Sequence, residues 1–273
     1  MKDIGLVLVQ NTPHPAHDPL ISGVEHGLEE ILVKSGMRLT TRVVPDGESE
    51  LDVYRYWHAT DAVDAVVLMR LTRDDKNVSF LHEVKIPFVA IVDETQVGQF
   101  SAVAIDNTAM MRALVEHLTS RGHSNIVYVS GPAEVEPSSV RAAAFLQESV
   151  RAGFQAAVMS CEPTAEGAQR ATRQLLAADL GRPTAVIYDD DVTAAAGQRT
   201  IQAAGAKVPD DIAVVAWNDS VLCQSATPSI TAMSHEAHSV GLLAGRCLIQ
   251  MAETGEREVL HASHAFIVER ASS

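Results

Sequence analysis

The sequence predicts an α/β protein made of two similar lobes, each a parallel sheet covered by helices on both faces. Three observations carry this prediction. Short Val- and Ile-rich runs of strand length alternate along the chain with longer patterns of helical period. These runs are numerous enough for two sheets, and 273 residues suit about two domains at the usual roughly 150 residues each. The third observation is the stretch 183–219, PTAVIYDDDVTAAAGQRTIQAAGAKVPDDIAVVAWND. It reads as strand, acidic turn, helix, turn and second strand. Two such strand ends side by side bring Asp190, Asp191, Asn218 and Asp219 to one edge of a parallel sheet, where open α/β sheets bind ligands.

Taken in order, IGLVLV (4–9), MRLTTRVV (37–44), AVVLM (65–69) and PFVAIV (87–92) read as strands buried on both faces. Between the first two, Leu20, Val24, Leu28, Ile31 and Leu32 form a helical stripe over 19–35 that stops before Gly36. This βαβα order implies parallel strands and right-handed crossovers. SAVAIDN (101–107) leads into a helix with Met111, Leu114, Val115 and Leu118 on one face, ended by Gly122. NIVYVSG (125–131) is the next strand, and Ser138 begins a helix with Arg141 near its start. FQAAVMS (154–160), PTAVIY (183–188) and DIAVVAW (211–217) continue the pattern, with helices near 164–177 and 191–204. After ATPSITAMSH an amphipathic helix carries Val240, Ala244, Cys247, Leu248 and Met251, and EVLHASHAFIVER supplies one last strand. The lobes are expected at 1–106 plus 237–258 and at 107–236 plus 259–273.

Composition narrows the function classes. A net charge of −14 argues against this chain gripping a phosphate backbone over a broad face. No run reaches the ~18 apolar residues of a membrane span, and MKDIGLVLVQ reads as a first strand rather than a secretory leader. Three distant cysteines, Cys161, Cys223 and Cys247, form neither a disulfide framework nor a metal motif and fit a reducing, cytoplasmic setting. There is no GxGxxG, Walker loop, G-x-S-x-G elbow or H-E-x-x-H. Adjacent carboxylates at 189–191 cannot flank a glycosidic bond from two sides. No enzyme activity and no cofactor are expected.

The segments AIDNTAMMRALVEHLTSRGHSNIVYVSGP, PTAVIYDDD, VPDDIAVVAWND and TPSITAMSHE, with Arg141 between the first two, resemble the effector-binding region of the lactose-repressor/galactose-repressor family of bacterial transcription regulators. The match runs in order over nearly the whole chain. It implies a type I periplasmic-binding-protein-like fold, two Rossmann-like lobes joined by three crossovers, with a small-molecule effector held between them. It also implies a homodimer, and operator DNA bound through an upstream helix-turn-helix domain that this chain does not contain. A free-standing solute-binding protein for a sugar transporter is the alternative that shares the fold.

What the resemblance implies for individual residues follows position by position. Arg141 corresponds to an arginine that points into the ligand cleft, with Ser138 beside it. Asp190 and Asn218 correspond to a pair that is commonly Asn and Asp, so their order is exchanged here, which changes the hydroxyls preferred. In QNTPHPAHDPL, Asn11, His14 and His17 fall where the family contacts the ligand; the two histidines replace residues that are usually apolar or aromatic. Asp93 ends a strand and reaches the ligand or orients a residue that does. His235 sits where several members use Gln. Asp189 and Asp191 are read as helix caps. Trp217 is read as core, because its neighbour Asn218 must face the cleft and strand neighbours point opposite ways. His-x-x-His with Asp18 lacks the further ligands a zinc site needs, so no metal is expected. The effector classes left open include sugars, sugar acids, polyols and nucleosides, while an Asp-rich pocket disfavours phosphates.

Overall fold

A computed structural model of the chain describes residues 1–9, 19–69, 71, 75–132, 136–178, 182–263 and 265–273. In chain order the first elements are β1 (Asp3–Val9), α1 (Pro19–Lys34), β2 (Arg38–Val44), α2 (Gly47–Thr60), β3 (Ala65–Met69) and α3 (Lys76–Val84). Next come β4 (Phe88–Asp93), β5 (Ser101–Ile105), α4 (Asn107–Ser120), β6 (Asn125–Ser130), α5 (Glu136–Ala152) and β7 (Gln155–Ser160). The chain continues with α6 (Ala165–Ala177), β8 (Ala185–Tyr188), α7 (Asp191–Ala203), β9 (Ala213–Ala216) and the short α8 (Val221–Ser225). It finishes with β10 (Thr231–Ser234), α9 (Ala237–Thr254), β11 (Val259–His261) and β12 (Phe266–Val268). Two compact units result: Met1–Asp106 with Glu236–Ser263, and Asn107–His235 with His264–Ser273.

In unit 1 the sheet order is β11-β5-β4-β3-β1-β2, with every pairing parallel. Alternate residues of its strands serve two cores. Ile4, Leu6, Leu8, Val67, Val89, Ile91 and Val103 pack with α1 and α9. Val7, Val66, Leu68, Ala90 and Val92 pack on the other face with Tyr54 and Trp57 of α2 and Leu81 of α3. Burial on both faces is why these strands read as continuous apolar runs rather than alternating ones. The helices α1 and α9 touch at backbone distance: a Cβ added to Gly27 would lie 2.1 Å from the His238 carbonyl oxygen. The strand β2 differs from its sequence reading. It is an edge strand in which only Val44 is buried, and its Arg38 Nε donates to Asp3 Oδ1 at 2.9 Å.

In unit 2 the order is β12-β10-β9-β8-β6-β7, parallel except that β12 runs antiparallel to β10. Val127, Val129, Val186, Tyr188, Val214 and Ala216 face a core shared with residues of α6 and α7. The alternate residues Tyr128, Ile187, Val215 and Trp217 are also fully buried. The segment EVLHASHAFIVER, read as one strand, forms two. Val259–His261 pairs with β5 in unit 1, and Phe266–Val268 pairs with β10 in unit 2. Each short strand covers an open sheet edge. Residues 259–263, grouped in the sequence with the second lobe, therefore lie in unit 1. Residues 270–273 are stitched into unit 2: Ser272 is fully buried, and its Oγ donates to the Val214 carbonyl at 2.5 Å and accepts from Thr231 N at 2.8 Å.

Candidate functional site

Strand parity decides which side chains meet at the carboxyl edge of the unit 2 sheet. Tyr128 pairs with Ile187 in the β6–β8 register. Two residues further on, Asp189 emerges on the same face, while Val186 and Tyr188 turn to the core shared with α6 and α7. The helix α5 supplies Ser138 and Arg141 one turn apart, so both side chains project to one side.

These residues form one connected cluster. Arg141 Nη1 donates to Asp189 Oδ1 at 2.9 Å, with side chains only 15% and 11% exposed. Arg141 Nε donates to Asn107 Oδ1 at 3.0 Å. The guanidinium carbon lies 4.4 Å from the centroid of the Trp217 ring, a cation–π arrangement. Asp189 Oδ1 also accepts from the Tyr128 hydroxyl, and Asp189 Oδ2 accepts from Ser138 Oγ at 2.7 Å and from Gly131 N at 3.2 Å. Glycine is needed at 131 because a Cβ there would come within 2.7 Å of Ser138 Oγ and 3.0 Å of Asp189 Oδ2.

Around this cluster the polar residues divide into committed and uncommitted groups. Asp190 is the N-cap of α7, with Oδ1 accepting from Thr193 N at 2.7 Å, and burial pushes its carboxyl up to about 6. The reading of Asp189 and Asp191 as helix caps is therefore corrected, Asp191 being the first residue of α7 itself. Asp189 still points with the strand face toward α5, and the cap falls one residue later, three before Thr193. Asp219 Oδ2 accepts from Arg270 Nη2 at 2.8 Å. Asn218 Oδ1 and Trp217 Nε1 are buried with no hydrogen-bond partner among the described residues. Trp217 is fully buried, in line with its reading as core, and it also forms the platform beneath Arg141.

His235 Nε2 lies 2.7 Å from the Trp217 carbonyl oxygen, which can only accept, so Nε2 carries a proton. Burial, reinforced by the Arg141 charge, lowers the imidazole to about 4. The ring is thus neutral near pH 7, with Nδ1 as an acceptor.

Asp93 belongs to unit 1 and is 4% exposed. It caps the single 3-10 turn Glu94–Gln96: Oδ1 accepts from Thr95 N at 2.9 Å and from Thr95 Oγ1 at 2.5 Å, while Gln96 Oε1 accepts from Asp93 N at 3.2 Å. Asn11, His14 and His17 lie outside the described residues. Among the described residues no group of three His, Cys, Asp or Glu side chains is placed to hold a metal ion. The structure thus joins Ser138, Arg141 and His235 through Asp189 and Trp217, adds Asn107, Tyr128 and Gly131, which the sequence reading passed over, and shows no contact of the Asn218 side chain with this cluster among the described residues. The missed signal was parity: Tyr128, Ile187 and Asp189 share a face.

Comparison with known proteins gives a consistent picture. A family model described as a periplasmic binding protein-like domain matches residues 115–273. The structure of a LacI family transcriptional regulator from Bifidobacterium animalis subsp. lactis is 30% identical with a TM-score of 0.90, the alignment covering 99% of this chain and 97% of that one. A structure of the transcriptional regulator CelR–cellobiose complex is 26% identical with a TM-score of 0.91, covering 100% and 85% of the two chains. The HTH-type transcriptional regulator CelR of Thermobifida fusca is 29% identical over 265 residues, which is 93% of this chain and 75% of that protein.

Proposed function

This chain belongs to the lactose-repressor/galactose-repressor family as its effector-binding region, and on that premise we propose that the Arg141 cluster of unit 2 binds a sugar or sugar-like effector. The observation that carries the reading is the state of Arg141. Asp189, Asn107 and the Trp217 ring fix its guanidinium in place. Its Nη2 protons have no acceptor among the described residues. A planar donor held in this way recognises a pair of hydroxyls with little ordering cost. His235, whose ring lies against Trp217, offers a neutral Nδ1 acceptor. The cellobiose in the CelR complex supports a saccharide as the ligand class.

The reading assigns no catalytic step. Effector binding biases a conformational equilibrium that a DNA-binding segment of the full regulator reads as a change in operator affinity. Coupling of this kind is typically about 1–3 kcal/mol. The protein acts as a homodimer in the cytoplasm, where operator DNA lies. Among the described residues no helix is long and apolar enough to cross a membrane.

The test is a thermal-shift screen against sugars, polyols, sugar acids and nucleosides, repeated with Arg141→Ala. A ligand at a hundredfold excess over its Kd adds about 2.7 kcal/mol of stability. A hit is expected from the saccharides or polyols, and Arg141→Ala should abolish it. A hit that survives Arg141→Ala would move the site elsewhere.

A further inference from the structure

Asp189 accepts four hydrogen bonds, two at each oxygen: from Tyr128 and Arg141 at Oδ1, and from Gly131 N and Ser138 at Oδ2. That is the full acceptor capacity of a carboxylate, so none is left for a ligand. Its charge sits 2.9 Å from the Arg141 guanidinium in a setting where both side chains are largely buried. The second arginine nearby, Arg270, is matched in the same way by Asp219. Asp190 and Asp191 stand at the start of α7, and Glu162 with its partner Arg170 follows β7, so among the described residues carboxylates outnumber cations along this edge of the sheet.

We propose that Asp189 is the specificity-determining residue of this site, a charge filter that sets it for uncharged polyhydroxyl effectors and against ligands carrying a carboxylate or phosphate. The inference rests on the reading of Arg141 as the effector-binding residue and adds the chemical class of what it binds. A hydroxyl needs only a free N–H to donate to it, and Arg141 Nη2 supplies that whatever the net charge nearby. An anion needs uncompensated positive charge, and Asp189 has already compensated it. An anion approaching Nη2 would also meet the Asp189 carboxylate across the same guanidinium, with Asp190 and Asp191 behind it, in surroundings that screen charge poorly.

The experiment pairs each neutral saccharide with its acid: glucose with gluconate, ribose with ribonate, cellobiose with cellobionate. Binding is followed by calorimetry, and inorganic sulfate serves as a probe independent of sugar identity. The wild-type chain is expected to prefer the neutral member of whichever pair it binds by tenfold or more, and to show no saturable stabilisation by sulfate. Asp189→Asn keeps the shape and removes the charge. It should shift the neutral-to-acid ratio about tenfold toward the acid and gain saturable sulfate binding that the added Arg141→Ala removes. Wild type binding the acid as well as its neutral partner would overturn the proposal, as would an Asp189→Asn chain unchanged in both arms. If no saccharide binds at all, the effector reading fails, while the sulfate arm still decides whether Asp189 masks Arg141. Circular dichroism checks that the variant folds, and Asp189→Ser replaces it in both arms if it does not.

Discussion

Asp190 carries a burial cost that Asn would not. The carboxylate caps α7 well, but burial, with Asp189 and Asp191 adding to it, pushes the group up from 3.8 to about 6. The folded chain therefore holds the proton more tightly than the unfolded chain, and ionisation costs stability. The cost is absent below about pH 4 and complete above about pH 6. Asn is an equally good cap without the charge. Asp190→Asn is therefore expected to stabilise the chain at pH 8 by on the order of 1–3 kcal/mol, and to gain little at pH 4. Urea melts at the two pH values measure this; an Asn variant less stable at pH 8 would show that the carboxylate has a binding partner of greater worth. This residue also marks where sequence reasoning stopped. The sequence placed a cap within this run of aspartates but assigned it to Asp189 and Asp191, whereas Asp190 is the residue that caps α7. Which aspartate faces Arg141 depends on the rotation of the last turn of strand, set by where Thr193 lies, and a run of identical residues carries no periodic signal to reveal it.

At the scale of elements, the α1–α9 contact opposes two effects of known size. Replacing Gly27 by Ala favours the helix by about 1 kcal/mol through propensity. The new methyl would overlap the His238 carbonyl at 2.1 Å and approach Leu242 N at 2.9 Å, both of them backbone atoms that cannot rotate away. Overpacking typically costs about 1–3 kcal/mol, and a clash with backbone belongs at the upper end. Gly27→Ala is expected to lower the urea midpoint with a net loss of about 1–2 kcal/mol. A raised midpoint would mean the helices separate freely. The order of strands and helices was legible because each buried strand is a short run of Val, Ile and Ala, and each helix shows its apolar stripe. The edges were not. The strand β2 was read as buried on both faces, although Arg38, Thr40 and Arg42 alternate along it and only Val44 is buried. EVLHASHAFIVER gave no sign of division, since His-Ala-Ser-His between its two apolar ends is compatible with either one strand or two.

At the scale of the whole molecule, acid acts on the two units unequally. In unit 1, Glu50 is 7% exposed, accepts from Tyr54 Oη at 2.8 Å, and is pushed by burial to about 7. Its ionisation cost is relieved as pH falls through 7, so unit 1 gains stability toward pH 4.5. In unit 2, His235 is held down to about 4, so its contribution is intact above pH 6.5 and is lost as pH falls from there to 4. The relief at Asp190 over a similar range offsets that loss, leaving the gain of unit 1 unmatched. The two tryptophans of the chain fall one to each unit, Trp57 in the first and Trp217 in the second, and both are buried. Fluorescence melts of Trp57→Phe and Trp217→Phe should therefore report the units separately. The transition of unit 2 is expected to move earlier relative to that of unit 1 between pH 8 and pH 5. A separation that stayed constant or moved the other way would exclude Glu50 and His235 as the controlling groups.

The interleaving of the two units also bears on how the chain folds as it is made. Unit 1 has its first 106 residues early, but the partner that packs against Gly27 arrives only with 236–263. By then the ribosome has already delivered nearly all of unit 2. Unit 2 in turn waits for β12 and for the Ser272 hydroxyl that bridges Val214 and Thr231. The unit 1 core between the sheet, α1 and α9 cannot close before more than 230 residues have emerged, so an apolar α1 face and an uncovered sheet edge stay exposed through most of synthesis. For this molecule the hazardous period is translation itself, and a holding chaperone has its use there.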